Sequence, residues 1–499
     1  MAGDVVPRAS ASDGDADDIV FPDANIVAVR AVAGALESSL GPSARDKLIV
    51  PLADDEGGSG GRPAFEDTVV TGDGATILEA LPMQHPVAPV LRRVVGPERP
   101  GDTEVLGADI HDGVTSTVVL VGALLSEAQG LLDLGAPPHT VMTGYQVGLE
   151  TALDVLEAHL RPVSSFPDPS AVDRAVAASA LTGNDLGGLR ETWARLAVEA
   201  VDLVGMPDEV TFAVRPIRDG AVADSRLVRG AVLPRSKRAN NAMPRRVEDA
   251  TVLVIGGFDD HGGLIDPKVR DAISLDLDTP YAVADFEALW RERRERIVER
   301  IDATGVDVVV TRTGISKAFQ HLLAVRGILG VRGVNHLTIR QVAAATGARI
   351  VKDPEDVDPA YFGSAGLVEE RLREPRKQRR KRRRMVVFEG CAEPRSVAVL
   401  LRGVSGNVAA QAETALRKAA HAVASARGER GRQPGVVPGG GATELAIAER
   451  ARDVAVRHDS KVQLAVEGFA DAADSVVGTL ARNAGADPLT ALADLRATR

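Results

Sequence analysis

The sequence predicts a multidomain α/β protein in which a mostly helical body is interrupted by an inserted α/β domain. Three observations lead there. The 499 residues are 44% hydrophobic, enough for roughly three separate cores. Both ends of the chain carry long segments with apolar residues at helical spacing. Between them, from about 207 to 370, short β-branched runs (EVTFAV, ATVLVIGG, VDVVVTRT, ILGVRGV, ARIVKD) alternate with helical stretches, the pattern of strands linked by helices.

The elements follow in order. Residues 1–19 combine Ala, Ser, Gly and Asp with little to bury, and are expected to form a disordered tail. Ile26, Val29, Val32, Leu36 and Leu40 recur at helical spacing until Gly41 and Pro42 stop the helix. After a strand at 48–50, the acidic, Gly-rich stretch 53–62 reads as an extended hairpin turn, and VVTGDGAT as a strand followed by a Gly-rich turn. The segment 114–135 is apolar nearly all round in its first half, which marks a core helix. Its longest apolar stretch, around Val118 to Leu125, is far short of the ~20 residues of a membrane span. Residues 139–160 give another helix, and Pro162, Pro167 and Pro169 mark a hinge. Between Asp259 and Trp290 a Gly/Asp-rich stretch leads into the charged helix ALWRERRERIVERIDATG, consistent with a projecting arm.

Composition excludes several classes of function. Ten Phe, three Tyr and two Trp leave few rings for stacking bases or lining a carbohydrate cleft. Trp193, Trp290 and the single Cys391 read as packing residues. One cysteine excludes an intrachain disulfide and a multi-cysteine zinc site, so the expected compartment is reducing cytosol. With no signal-peptide pattern in 1–19, a cytoplasmic protein with no membrane partner is expected. A net charge of −11 disfavours nucleic acid as a partner.

Three Gly-rich elements could carry chemistry: TGDGAT (71–76), HDGVTST (111–117) and GVVPGGGATE (435–444), the last two opening helices. Glycine permits positive φ, so successive backbone N–H groups can point into one concavity, and a helix N-terminus adds positive potential for phosphate. Gly74, Gly113, Gly439, Gly440 and Gly441 would supply such backbone, and Thr115, Ser116 and Thr117 hydroxyls. Asp73 and Asp112 could hold Mg²⁺ or orient water beside a phosphate. Taken singly, each element is equally well a turn or a cap.

Their order in one chain resembles the group II chaperonins, the thermosome and TCP-1 family. The resemblance runs from Asn25 onward through LGPSARDK (40–47), TGDGATIL (71–78), HDGVTSTVVLVGALL (111–125), TGN (182–184), GISKAFQHLLAVRGILGVRGV (314–334), ATGARIV (345–351), GLVEER (366–371), VVPGGGA (436–442) and NAGADP (483–488). It implies a chaperonin fold: a mostly helical equatorial nucleotide-binding domain (20–160 and 425–499), a small intermediate domain (161–222 and 386–424) and an inserted α/β apical domain (223–385) with a helical protrusion. It also implies ATP and Mg²⁺, unfolded protein clients, and a homo- or hetero-oligomeric double ring. By the same resemblance Leu40, Gly41 and Pro42 join the nucleotide contacts, Asp112 holds Mg²⁺ and Asp73 helps orient water.

The departures from the family pattern collect at the phosphates. Ser43 stands where the family has Lys, Val114 replaces the first hydroxyl after the glycine, and Asn184 replaces the Lys of TGK. The intermediate-domain helix reads ETALRKAA, so Lys418 occupies the position of the catalytic Asp. A lysine is cationic and cannot act as a base unless its pKa is strongly depressed. The chain ends at Arg499, soon after NAGADP, where the family continues into a nucleotide-contacting loop and inter-subunit strands. Impaired hydrolysis is therefore expected, and a non-hydrolysing ring component or holdase, co-assembling with competent subunits, is the alternative. The cationic run REPRKQRRKRRR (373–384) reads either as a solvated hairpin extension or as a polyanion contact.

Overall fold

The computed structural model describes residues 21–50, 69–81, 85–95, 113–183, 189–218, 220–234, 238–256, 264–265, 280–355, 357–372, 384–404, 407–429, 433–459 and 461–497. The expected tail, the hairpin tip 53–62, most of the arm before residue 280, the basic run up to 383, Asp112 and Asn184 lie outside the described residues.

In chain order the elements begin with α1 (Phe21–Glu37), β1 (Lys47–Ile49), β2 (Val69–Thr71), α2 (Gly74–Ala80), α3 (Val87–Val95), α4 (Val114–Asp133) and α5 (Pro138–His159). There follow α6 (Pro169–Ala180), α7 (Arg190–Val204), β3 (Phe212–Ile217), β4 (Arg226–Val228), β5 (Val232–Leu233), β6 (Arg246–Ile255), α8 (Pro280–Ala303), β7 (Val308–Thr311), α9 (Lys317–Val325), β8 (Leu329–Val331), α10 (His336–Thr346), β9 (Ile350–Val351), β10 (Gly363–Leu372), β11 (Arg384–Glu389), β12 (Val397–Arg402) and α11 (Asn407–Ala426). The chain closes with α12 (Ala442–Ala455), α13 (Lys461–Asn483) and α14 (Pro488–Ala497).

These elements form two compact units, one of residues 1–161, 182–184 and 436–499, the other of 162–181 and 185–435. The first is helical apart from the antiparallel pair β1–β2, in which Lys47 faces Thr71. Helix α4 packs on α1 and α13, and α13 also on α5 and α12. Leu36, Ile77, Leu78, Val114 and Val118 make one core, and an alanine-rich seam of Ala448, Ala451, Ala470 and Ala473 another. Small residues let α12 and α13 approach closely, which compensates for the scarcity of aromatic rings.

The second unit holds two sheets. In the three-stranded sheet β12 lies between parallel β3 and antiparallel β4. Helices α6, α7 and α11 pack with its strands around the buried Trp193. EVTFAV thus belongs to this sheet rather than to that of the other β-runs. The seven-stranded sheet runs β5–β11–β10–β6–β7–β8, with β9 also on β6. The β6–β7–β8 part is parallel, and Val252, Val254, Val308, Val310 and Phe319 share its core. Cys391 is buried against the same core, which pushes its thiol up to about 11.

A buried ion pair joins two segments of this larger sheet. The Arg238 and Glu370 side chains are each 3% exposed and meet at 2.9 Å, Arg384 donates to the same carboxylate, and Arg238 reaches the Asn241 and Met243 carbonyls. Burial pushes the Glu370 carboxyl up, but hydrogen bonds from the Arg238 backbone and side chain and from Arg384 outweigh it and hold the group below its usual value.

Candidate functional site

The glycine-rich elements meet at one end of the helices of the first unit. Asp73 caps α2: its Oδ2 accepts from the Thr76 backbone N–H at 3.0 Å and the Thr76 hydroxyl at 2.7 Å, while Thr71 Oγ1 accepts from the Asp73 N–H at 3.0 Å. Helix α2 starts against the first turn of α4. A β-carbon on Gly74 would stand 2.3 Å from Thr115 Oγ1 and 3.0 Å from the Thr115 backbone nitrogen, so only glycine allows this approach.

Helix α4 itself opens at Gly113, whose φ of 84° supplies a left-handed cap with no side chain in the way. Helix α12 opens the same way at Gly441, φ 87°, after Gly440, φ 69°. Both helices begin at these glycines with the positive end of their dipoles. The Thr117 hydroxyl turns back to the Gly113 carbonyl at 3.0 Å, so it supports the helix rather than a ligand. Thr115 and Ser116 hydroxyls have no hydrogen-bond partner among the described residues.

Leucine 480 of α13 ties the remaining pieces together. It would meet a β-carbon on Gly41 at 2.5 Å and one on Gly441 at 3.5 Å, and Leu40 packs with Val119 of α4 and Val476 of α13. Thr182 and Gly183 belong to this unit, with Gly183 so close that a β-carbon would lie 3.2 Å from the Gly41 carbonyl oxygen. Pro42 and Ser43 are exposed on the loop after Gly41. Val114 is 3% exposed in the α1–α2–α4 core, so the residue that replaces a family hydroxyl is engaged in packing.

Asn483, the first residue of the NAGADP motif, holds two segments of the site together. Its side-chain amide donates to the Glu37 and Leu40 carbonyls at 2.8 Å each, bridging the C-terminal end of α1 and the start of the Gly41 loop. Nothing in local spacing signals a bond to carbonyls so far away in sequence. Lys418 lies half-buried on α11 of the second unit, beside Arg417, which donates to the Phe212 carbonyl at 3.0 Å and pairs with Glu413. Among the described residues no cluster of three or more His, Cys, Asp or Glu is placed to hold a metal ion.

The first unit is thus a helical body with an anion-attracting end, and the second an α/β insertion. A family model described as the TCP-1/cpn60 chaperonin family matches residues 32–499. The chain belongs to that family. It is 36% identical over 489 residues to thermosome subunit alpha of Aeropyrum pernix, covering 95% of this chain and 80% of that one. It is 35% identical over 481 residues to thermosome subunit beta of Desulfurococcus mucosus (95% and 88%), and 35% over 486 residues to a thermosome subunit of Methanopyrus kandleri (95% and 81%). These matches identify a group II chaperonin subunit.

Proposed function

We infer that this chain binds ATP where its glycine-opened helices converge and works in a double ring, with its own copies or with paralogues, on unfolded protein clients in the cytoplasm. The observation that carries the reading is the packing of the α2 and α4 N-termini, the Gly41 loop and the α12 N-terminus into one end of one unit. Backbone amides with positive potential suit a triphosphate, and they bind it without a lysine.

In this reading residues 20–160 and 425–499 are the equatorial domain, 161–222 and 386–424 the intermediate domain, and 223–385 the apical domain. Asp112 holds Mg²⁺, which offsets phosphate charge, and Asp73, fixed by its cap, helps orient water. Lys418 stands where relatives place a carboxylate, so hydrolysis is slow. Titration with a fluorescent ATP analogue, run beside native mass measurement, tests this. Saturable binding weakened by Gly74→Leu, with a ring-sized mass, supports it; absence of binding by the unaltered chain rejects it.

The identity of Lys418 favours a second reading, a non-hydrolysing ring component or holdase. Its signature is nucleotide binding with negligible turnover and a ring that forms only when a competent relative is added. No ring under either condition rejects it.

A further inference from the structure

The two sheets of the second unit carry separate main cores, and a much smaller apolar cluster joins them. In it Ala213, Val228 and Ala398 of the three-stranded sheet meet Val232 and Val387 of the seven-stranded sheet. The chain passes between the sheets from β4 to β5 and from β11 to β12, through Gly230, φ 151°, and Gly390, φ 72°. The two passages touch. A β-carbon on Gly230 would stand 2.1 Å from the Phe388 carbonyl oxygen and 3.4 Å from Cys391 Sγ, and the Cys391 N–H donates to the Arg229 carbonyl at 3.3 Å. Glycine leaves the backbone of both passages free to turn, so rigidity here has to come from side chains.

Polar side chains supply it at two places. Both terminal nitrogens of Arg226 on β4 donate to the Glu389 carboxylate on β11, Nη2 to Oε2 at 3.2 Å, and Arg371 of β10 donates to Oε2 at 3.3 Å. These bonds, that from Arg226 above all, hold the Glu389 carboxyl below its usual value although burial opposes its charge. The fork is therefore charge-assisted at neutral pH, and its two parallel bonds fix orientation as well as distance.

The second place is Gln341 of α10, 2% exposed on a helix whose Ile339 and Val342 belong to the core of the seven-stranded sheet. It accepts from Arg215 of β3 at 2.6 Å and donates to the Glu209 carbonyl, just ahead of β3, at 2.7 Å. Arg215 Nε reaches the Val232 carbonyl of β5 at 3.2 Å, and the Arg395 N–H, ahead of β12, donates to the Ala344 carbonyl of α10 at 3.0 Å.

We propose that the Arg226–Glu389 fork and the Arg215–Gln341 bridge lock the two sheets into one rigid body, each raising the cost of parting them. Polar bonds over glycine connections can be exchanged for bonds to water, which a continuous apolar core cannot do. The junction is thus the place where this unit can change shape, and the lock is what keeps it from doing so.

Cys391 is the chain's only cysteine, is 5% exposed and lies where the passages touch. Its reaction with a maleimide, followed on the full chain, reports parting of the sheets. In the unaltered chain the rate should rise with urea as steeply as the unfolding equilibrium does, because only global unfolding frees the thiol. Arg226→Met and Arg215→Met should each speed the reaction about tenfold at urea concentrations where Trp193 fluorescence still shows a folded unit. Glu389→Gln should match Arg226→Met, and adding it to that variant should change little, since both act through one fork. Fast, urea-independent reaction of the unaltered chain shows sheets that part freely and overturns the proposal. Unchanged protection in the three variants assigns the junction to apolar packing and overturns it, as does acceleration that merely follows a lowered urea midpoint.

Discussion

Gly74 has no room for even one added carbon, because Thr115 Oγ1 and the Thr115 backbone nitrogen already bound the space. Gly74→Ala must push α2 off α4, at about 1–3 kcal/mol. A lower denaturation midpoint together with weaker nucleotide binding is the expected result. Asn483→Leu deprives two carbonyls of their donor and should cost about 1–3 kcal/mol, read by urea denaturation. The loss should exceed that of Arg482→Ala, since the Arg482–Glu37 pair is exposed on both sides. Residue types at the site are partly legible in the sequence: the DG and GGG steps permit positive φ, which Gly113, Gly440 and Gly441 adopt and Gly74 and Gly439 do not. The contacts of Asn483 with Glu37 and Leu40 and of Leu480 with Gly41 are not, because they join segments more than four hundred residues apart and depend on how α13 packs.

Strand β10 illustrates the balance at the scale of an element. Glu370 sits on it between Arg238 and Arg384, with burial opposing its charge and three hydrogen-bonding contacts sustaining it. Its folded pKa is lowered, so its contribution to stability is complete above its usual value of 4.5 and is lost as pH falls through the lower folded value. The denaturation midpoint of the unaltered chain should therefore fall below about pH 4.5, and Glu370→Gln should flatten part of that fall. At neutral pH Glu370→Gln should destabilise by about 3–5 kcal/mol, since it leaves Arg238 buried without its counter-charge. Element types followed well from periodicity: the five β-runs all became strands, and the helix expected at 114–135 ends at Asp133. What covers each face did not follow. The apolar pattern of α4 reads as a core helix, but burial depends on neighbours, and 28% of its most apolar 18-residue window is buried.

At the scale of the whole molecule, the order of motifs along the chain points to the family, and the family model matches residues 32–499. The two units keep their own cores, one Ala- and Leu-rich and helical, the other built on two sheets. In the proposed reading the first unit's glycine backbone binds nucleotide whatever its side chains, while Ser43 in that unit and Lys418 in the second depart from the charges of the family pattern. Binding and hydrolysis should accordingly come apart. On the proposed reading, a carboxylate introduced at position 418 supplies general-base assistance, a contribution of about 10²–10⁴ in rate at most. The most direct test is steady-state ATP turnover of the unaltered chain and of Lys418→Asp, both saturated with MgATP. Slow turnover in the first and a rise of about tenfold or more in the second is the predicted result; turnover by the unaltered chain as fast as that of a thermosome subunit, unchanged by Lys418→Asp, would contradict it.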